Sequence, residues 1–137
     1  MSLEIHQREK EGIAIFDLKG RLTVGDGSSA LRERLSAAAA AGQTKIILNL
    51  AGVEYIDSTG LGTLVISFTS LKKAGGALKL ANLNRRNMEL LVLTKLTTVF
   101  ELFDDEQNAV NSFFPGREIR HFDILAFVEQ TRKEQED

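Results

Sequence analysis

Residues 45–65 read KIILNLAGVEYIDSTGLGTLV, and they decide which fold the rest of the chain can adopt. The run KIILNL at 45–50 is almost continuously apolar, which is typical of a strand buried on both faces of a sheet. Apolar residues then recur at helical spacing, which predicts a helix that ends at about Lys73. The strand therefore passes into the helix through an acid, two hydroxyls and a glycine, the sequence DSTG at 57–60.

The sequence on either side extends this strand–helix unit in both directions. Segments 3–9 and 13–20 predict a hairpin. A first helix follows, with Ser28 or Ser29 as its cap and Gly42 at its end. The remaining predicted elements are a strand at 77–83, a helix at 84–93 capped by Asn84, a strand at 99–103 and a helix at 104–113. This order predicts an α/β fold with a mixed β-sheet, an N-terminal hairpin and helices packed mainly on one face.

The chain divides into a domain and an extension. Residues 1–114 are predicted to form a single domain, and residues 115–137 a C-terminal extension that is expected to be helical. The extension is rich in large apolar side chains: Ile119, Phe122, Ile124, Leu125, Phe127 and Val128. We expect these side chains either to dock back on the domain or to form a homodimer or partner contact.

Composition excludes several classes of site and partner. The chain has 137 residues, no cysteine and a formal net charge of -2. It therefore lacks the basic surface that nucleic acid requires, and it can form neither a disulfide nor a thiolate zinc site. Its apolar runs are too short for a membrane span, so we expect no membrane insertion and a cytoplasmic location.

Familiar catalytic and nucleotide-binding motifs fail at single positions. A serine-hydrolase elbow requires glycine two residues before its nucleophile, and Ile56 holds that place before Ser58. A phosphate-binding P-loop requires lysine where Asp26 stands. A dinucleotide fingerprint requires a third glycine where Val65 stands. We therefore expect a protein that is not an enzyme and that uses no cofactor and no metal.

Helix geometry gives the segment after Asp57 two different faces. Asp57 or Ser58 is the expected N-cap. At about 100° per residue, the core stripe consists of Leu61, Leu64, Val65, Phe68 and Leu71. The opposite, outward face carries mostly small side chains: Thr59, Gly62, Thr63, Ile66, Ser70 and Lys73. Gly62 costs about 1 kcal/mol relative to alanine in a helix interior, so close approach by a partner or close packing within the fold is expected to compensate.

The stretch 45–65, preceded by a hairpin and by GRLT at 20–23, resembles the signature of STAS-domain anti-sigma-factor antagonists, which are bacterial regulators of transcription. The resemblance covers about residues 3–113. It implies that Ser58 is phosphorylated, with Thr59 as a weaker candidate. It implies two partners: an anti-sigma factor that is also a serine kinase with a histidine-kinase-like ATP site, and a serine phosphatase that reverses the modification. The unmodified antagonist would bind the kinase and thereby free the sigma factor.

A predicted partner surface follows from the helix face and the resemblance together. Gly62 would let the partner backbone approach, and Ile66 would fill a small apolar pocket. In the family the loop at 24–29 lies near the partner, which adds Asp26. The predicted partner surface therefore consists of Asp26, Asp57, Ser58, Thr59, Gly62, Thr63 and Ile66. The alternative function, also found on this fold, is a non-phosphorylated accessory subunit of a transport or signalling complex, with Ser58 as a helix cap.

Overall fold

The computed structural model describes residues 3–136, which form one sheet with helices on both faces. The strands are β1 (Leu3–Lys10), β2 (Ile13–Leu22), β3 (Lys45–Ile56), β4 (Ala77–Ala81) and β5 (Leu102–Phe103). The helices are α1 (Asp26–Ala40), α2 (Ser58–Lys73), α3 (Arg85–Leu93), α4 (Glu106–Asn111) and α5 (Ile124–Glu136). A 3-10 turn at Leu96–Thr98, which the sequence pattern did not predict, lies between α3 and β5.

The strands lie side by side in the order β1-β2-β3-β4-β5. β1 and β2 form the antiparallel hairpin, and every later neighbour pairs in parallel. The carboxyl ends of β2, β3 and β4 therefore meet at one edge of the sheet, where α1, α2 and α3 begin. This arrangement confirms the predicted mixed sheet with an N-terminal hairpin.

Two apolar clusters cover the two faces of the sheet. The larger one joins the strands to α1, α2 and α3, through buried residues such as Leu31, Leu64 and Leu91. The smaller one joins the strands to α4, and its members are Ile13, Ile15, Ile47, Ala81, Phe103, Ala109 and Val110. Most helices thus lie on one face, as predicted, and the short α4 covers part of the other.

A polar network ties α4 to the hairpin. The guanidinium of Arg8 donates to Asp17 of β2, with 2.6 Å between Nε and Oδ2, and it also pairs with Glu106 of α4. Asn49 of β3 donates to the same Asp17 carboxylate at 2.8 Å. The hydrogen bonds from Arg8 hold the pKa of both carboxyls below their ordinary values. The first strand and the fourth helix are therefore joined by an ion pair that spans almost the whole domain in sequence.

Some predicted boundaries are wrong, for reasons that lie in the tertiary structure. β3 continues past Leu50 to Ile56, because β2 runs alongside it and supplies pairing partners to the end. α1 begins at Asp26 after Gly25, so Ser28 and Ser29 lie inside the helix and neither caps it. The predicted strand at 99–103 pairs only at Leu102–Phe103. The predicted Asn84 cap is present, since its side chain accepts a hydrogen bond from the N–H of Asn87 at 2.8 Å.

The C-terminal extension contacts the domain at its β5 edge and at α3. The N–H of Phe122 donates to the carbonyl of Leu102 at 2.9 Å. Phe122 and Phe127 pack against the larger apolar cluster, and Glu134 of α5 pairs with Arg85 of α3. Residues 1, 2 and 137, which belong to the predicted domain and extension, lie outside the described residues.

Candidate functional site

The DSTG sequence stands at the junction of β3 and α2, at the edge of the sheet where the parallel strands end. Asp57 has an extended backbone and is the N-cap of α2, with its Oδ1 accepting from the N–H of Gly60 at 2.8 Å. Ser58 is the first residue of the helix and is exposed. Of the two residues predicted as possible N-caps, Asp57 is the cap, and Ser58 is the first residue inside the helix.

Asp57 also anchors a second segment. Its Oδ2 accepts from the N–H of Val24 at 2.9 Å, and its own N–H donates to the carbonyl of Leu22 at 3.2 Å. The hydrogen bond from Gly60, followed by that from Val24, holds the pKa of the Asp57 carboxyl below its ordinary value. Asp57 is therefore ionised at neutral pH, and it fixes the loop between β2 and α1 against the start of α2.

The two glycines of α2 have different surroundings. A side chain at Gly60 would overlap the carbonyl of Leu22, so the close approach of β2 and α2 requires glycine there. A Cβ at Gly62 would meet nothing within 4 Å. Packing within the domain therefore does not account for Gly62, and close approach by a partner stays a prediction.

The outward face of α2 is partly as predicted. Thr59 and Ile66 are exposed, Ile66 to 46% of its surface, and Gly62 is half-buried. Leu61, Leu64 and Leu71 are buried in the core, while Val65 and Phe68 pack at its margin.

The prediction that Thr63 lies on the exposed face of α2 is wrong. Its side chain is only 5% exposed, because α1 packs against that flank of α2. It still lines a groove between the two helices. Thr63 is thus nearly buried at the edge of this groove, and the predicted flat face is narrower than helix geometry alone indicated.

Asp26 lies in the first turn of α1 and is exposed. It is two residues from Val24, which the bond to Asp57 holds against α2. The structure therefore brings the β2–α1 loop and the start of α2 to the same edge of the sheet, as the predicted partner surface requires.

Two residues beside the site were missed in the sequence. Val24 is 71% exposed, a large value for an apolar side chain, and it sits beside the Asp57 anchor. Arg32 lines the groove between α1 and α2 together with Thr59 and Thr63. An apolar residue in a glycine-rich loop is a signal for Val24, but the position of Arg32 depends on how α1 packs.

Within the described residues, no group of three or more potential ligands is placed to hold a metal ion. No helix among them is long and apolar enough to cross a membrane. The chemistry present at this edge is that of an exposed hydroxyl next to an ionised carboxylate at the start of a helix.

Comparison with known proteins identifies the fold and the family. The STAS domain family matches residues 4–109. An anti-sigma-B factor antagonist of Bacillus subtilis is 32% identical over 110 residues, which cover 80% of this chain and 99% of the relative. An anti-sigma factor antagonist of Mycobacterium paratuberculosis superposes with a TM-score of 0.67 at 21% identity, over 81% of this chain and 93% of that one.

A further solved structure, the Bacillus cell fate determinant SpoIIAA in its phosphorylated form, superposes with a TM-score of 0.64 at 19% identity, over 81% of this chain and 100% of that one. At these identities the two structural likenesses establish the fold alone. The extent of the family match and the identity to the Bacillus subtilis relative establish more: the chain belongs to the STAS-domain family of anti-sigma factor antagonists.

Proposed function

We propose that the protein binds an anti-sigma factor while Ser58 is unmodified and releases it once Ser58 is phosphorylated. The observation that carries this proposal is that Asp57 and Ser58 have different roles at the start of α2. Asp57 caps the helix and anchors the neighbouring loop, while the Ser58 side chain is exposed and makes no hydrogen bond within the described part of the chain. The Ser58 hydroxyl is therefore accessible to a kinase and is not needed for the fold.

The free domain is able to tolerate the modification. A phosphate adds about -1.5 to -2 charges at neutral pH. At the N-terminus of a helix the dipole and the free N–H groups favour an anion, so the fold keeps its stability. The charge at Ser58 also points into solvent, where it stays hydrated.

A complex with a partner would not tolerate a phosphate on Ser58 as the free domain does. A partner surface fitted to neutral Ser58 would have to desolvate the phosphate beside the ionised carboxylate of Asp57. Like charges held together at an interface oppose association. Phosphorylation therefore weakens binding and leaves the fold intact, which is the asymmetry that a reversible switch requires.

The proposed partners follow from the family. The anti-sigma factor is also a serine kinase with a histidine-kinase-like ATP site, and it modifies Ser58 as it is released. A serine phosphatase restores the hydroxyl, so the balance of the two activities sets how much sigma factor is free for transcription. The relative solved in its phosphorylated form supports a phosphate on this fold.

The first experiment is phosphosite mass spectrometry on the protein purified from its own cells, during growth and under stress. We expect a phosphate on Ser58 whose occupancy changes with conditions; Thr59 is the second candidate. In parallel, Ser58→Asp is expected to bind the kinase much more weakly while unfolding near the wild-type midpoint. Gln107→Glu, which adds the same charge on α4, is the matched control and should bind normally.

Absence of phosphate in every condition, together with wild-type binding by Ser58→Asp, would contradict the proposal. Ser58 would then be an exposed helix residue of a constitutive antagonist.

A further inference from the structure

A groove follows the seam between α1 and α2, beginning beside the start of α2. Its upper part has a volume of about 570 Å³ and is lined by Thr59 and Thr63 from α2. Its lower part, of about 220 Å³, continues past Ile66 and Ser67. Two residues of α1, Arg32 and Ser36, line both parts. The two parts therefore adjoin, and we refer to them together as the α1–α2 groove.

Two hydroxyl groups on α2 line the floor of this groove. Thr63 is 5% exposed and Ser67 6%, and neither hydroxyl has a hydrogen-bond partner among residues 3–136. Thr69, on the same helix, differs, since its hydroxyl donates to the carbonyl of Val65 at 2.9 Å. Every fully enclosed side-chain polar atom in the described chain has a partner. The oxygens of Thr63 and Ser67 must therefore still reach the groove.

Buried polar groups in native proteins are nearly always hydrogen-bonded. Two nearly buried hydroxyls with no partner among the described residues are free to bond to whatever fills the groove, which is water in the free protein and a polar group of the occupant in a complex. Isosteric apolar residues would fill the same space without offering these bonds. The pattern points to binding, since core packing alone does not explain hydroxyls at these positions.

The positive charge of Arg32, at the middle of the groove, indicates which kind of occupant would bind there. Arg32 lines both parts, and the ion pairs of the described residues do not include it. The carboxylate of Glu33 lines the upper part and does not line the lower one. A guanidinium matches a carboxylate through two parallel hydrogen bonds. The occupant is therefore expected to bring an acidic side chain.

We propose that the α1–α2 groove binds an extended, acidic segment of the anti-sigma factor, with a carboxylate at Arg32 and peptide groups bonded to Thr63 and Ser67. A helix satisfies its own backbone groups, whereas an extended segment leaves them free for these hydroxyls. The inference rests on the proposed function, because it names the second region that the same partner contacts. It also adds a reason for release, since phosphate on Ser58 places negative charge at the end of the groove where the acidic segment lies.

The test measures binding to the purified kinase that phosphorylates Ser58, using isothermal titration calorimetry. Thr63→Val and Ser67→Ala remove one hydroxyl each with little change of shape. Each is expected to weaken binding by about threefold to tenfold, while unfolding at or above the wild-type midpoint. A merely structural hydroxyl would instead lower the midpoint and leave binding unchanged.

Charge is tested by Arg32→Glu, with Arg34→Glu as the matched control. Arg34 is exposed on α1 but does not line the groove. Arg32→Glu is expected to weaken binding at least about tenfold, with a smaller loss at high salt. Arg34→Glu should stay within about twofold of the wild type.

The outcomes separate this inference from the switch. If the groove variants bind like the wild type while Ser58→Asp does not bind, the groove is not a docking site and the phosphorylation switch stands. If the groove variants lose binding while Ser58→Asp binds normally, the groove is supported and the switch is wrong.

Discussion

Asp57 is predicted to stabilise the domain through two separate hydrogen bonds, and two substitutions can measure them individually. Asp57→Asn keeps an acceptor oxygen for the N–H of Gly60 but presents an amide to the N–H of Val24. Asp57→Ala removes both acceptors. The difference between the two variants is the contribution of the helix cap, and the loss in Asp57→Asn is that of the loop anchor.

The expected losses follow from the exposure of each bond. An N-cap carboxylate contributes about 1 kcal/mol. The bond to Val24 contributes about 0.5 kcal/mol, at the low end of the usual range, because it lies at the surface where water competes. We expect the free energy of unfolding to fall by about 0.5 kcal/mol in Asp57→Asn and by about 1.5 kcal/mol in Asp57→Ala. The latter corresponds to about 5 °C in melting temperature for a chain of this size.

Urea unfolding at several pH values provides the assay, with Asp104→Asn, an exposed loop acid, as the control for lost charge. The pKa of Asp57 is lowered in the folded state, so its stabilisation is fully present above its unfolded pKa of about 4 and is lost as the pH falls through the folded value. The gap between wild type and Asp57→Asn should therefore close in acid. Equal losses in the two Asp57 variants, or a gap that widens in acid, would refute the reasoning.

Three further outcomes are expected. Gly62→Ala should raise the free energy of unfolding by about 1 kcal/mol and weaken partner binding. Gly60→Ala should lower the free energy of unfolding by about 2–3 kcal/mol. Urea titrations in which both variants change stability in the same direction would contradict the different surroundings of the two glycines. Ile66→Lys should weaken binding to the kinase and leave the unfolding midpoint unchanged; a large fall in midpoint would place Ile66 in the core. Deleting 117–137 should lower the melting temperature and leave the solution mass that of a monomer, because Phe122 packs on the domain. A dimer that dissociates on deletion would show instead that the extension forms a homodimer.

The main outline of the fold was predictable because local pattern and tertiary structure agree over most of the chain. The almost continuous apolar run at 45–50 is typical of a buried strand, and the hairpin alternation at 3–9 fitted an edge. The extension of β3 to Ile56 could not be seen, since Ala51 and Gly52 interrupt the pattern and the pairing comes from β2. Propensity is a weak guide where a neighbouring strand supplies the hydrogen bonds.

The candidate site was predicted in its residues but not in their roles. The DSTG sequence identified the start of the helix. Either Asp57 or Ser58 is a suitable N-cap by residue type, and only the backbone geometry shows that Asp57 is the cap. Helix periodicity placed Thr63 away from the core and therefore in solvent. Periodicity gives the direction of a side chain relative to its own helix, and it does not reveal that α1 covers this flank. Arg32 was missed for the same reason.

The ion pair between Arg8 and Glu106 also has a consequence for how the chain is made. Its two residues are 98 positions apart, so the hairpin leaves the ribosome long before its partner helix exists. Until α4 has been synthesised, the sheet face that carries Ile13, Ile15 and Ile47 has no cover. A nascent chain halted before Glu106 would therefore present an apolar sheet face to chaperones or to other nascent chains. The apolar face is covered only once α4 has been synthesised and has packed on the sheet.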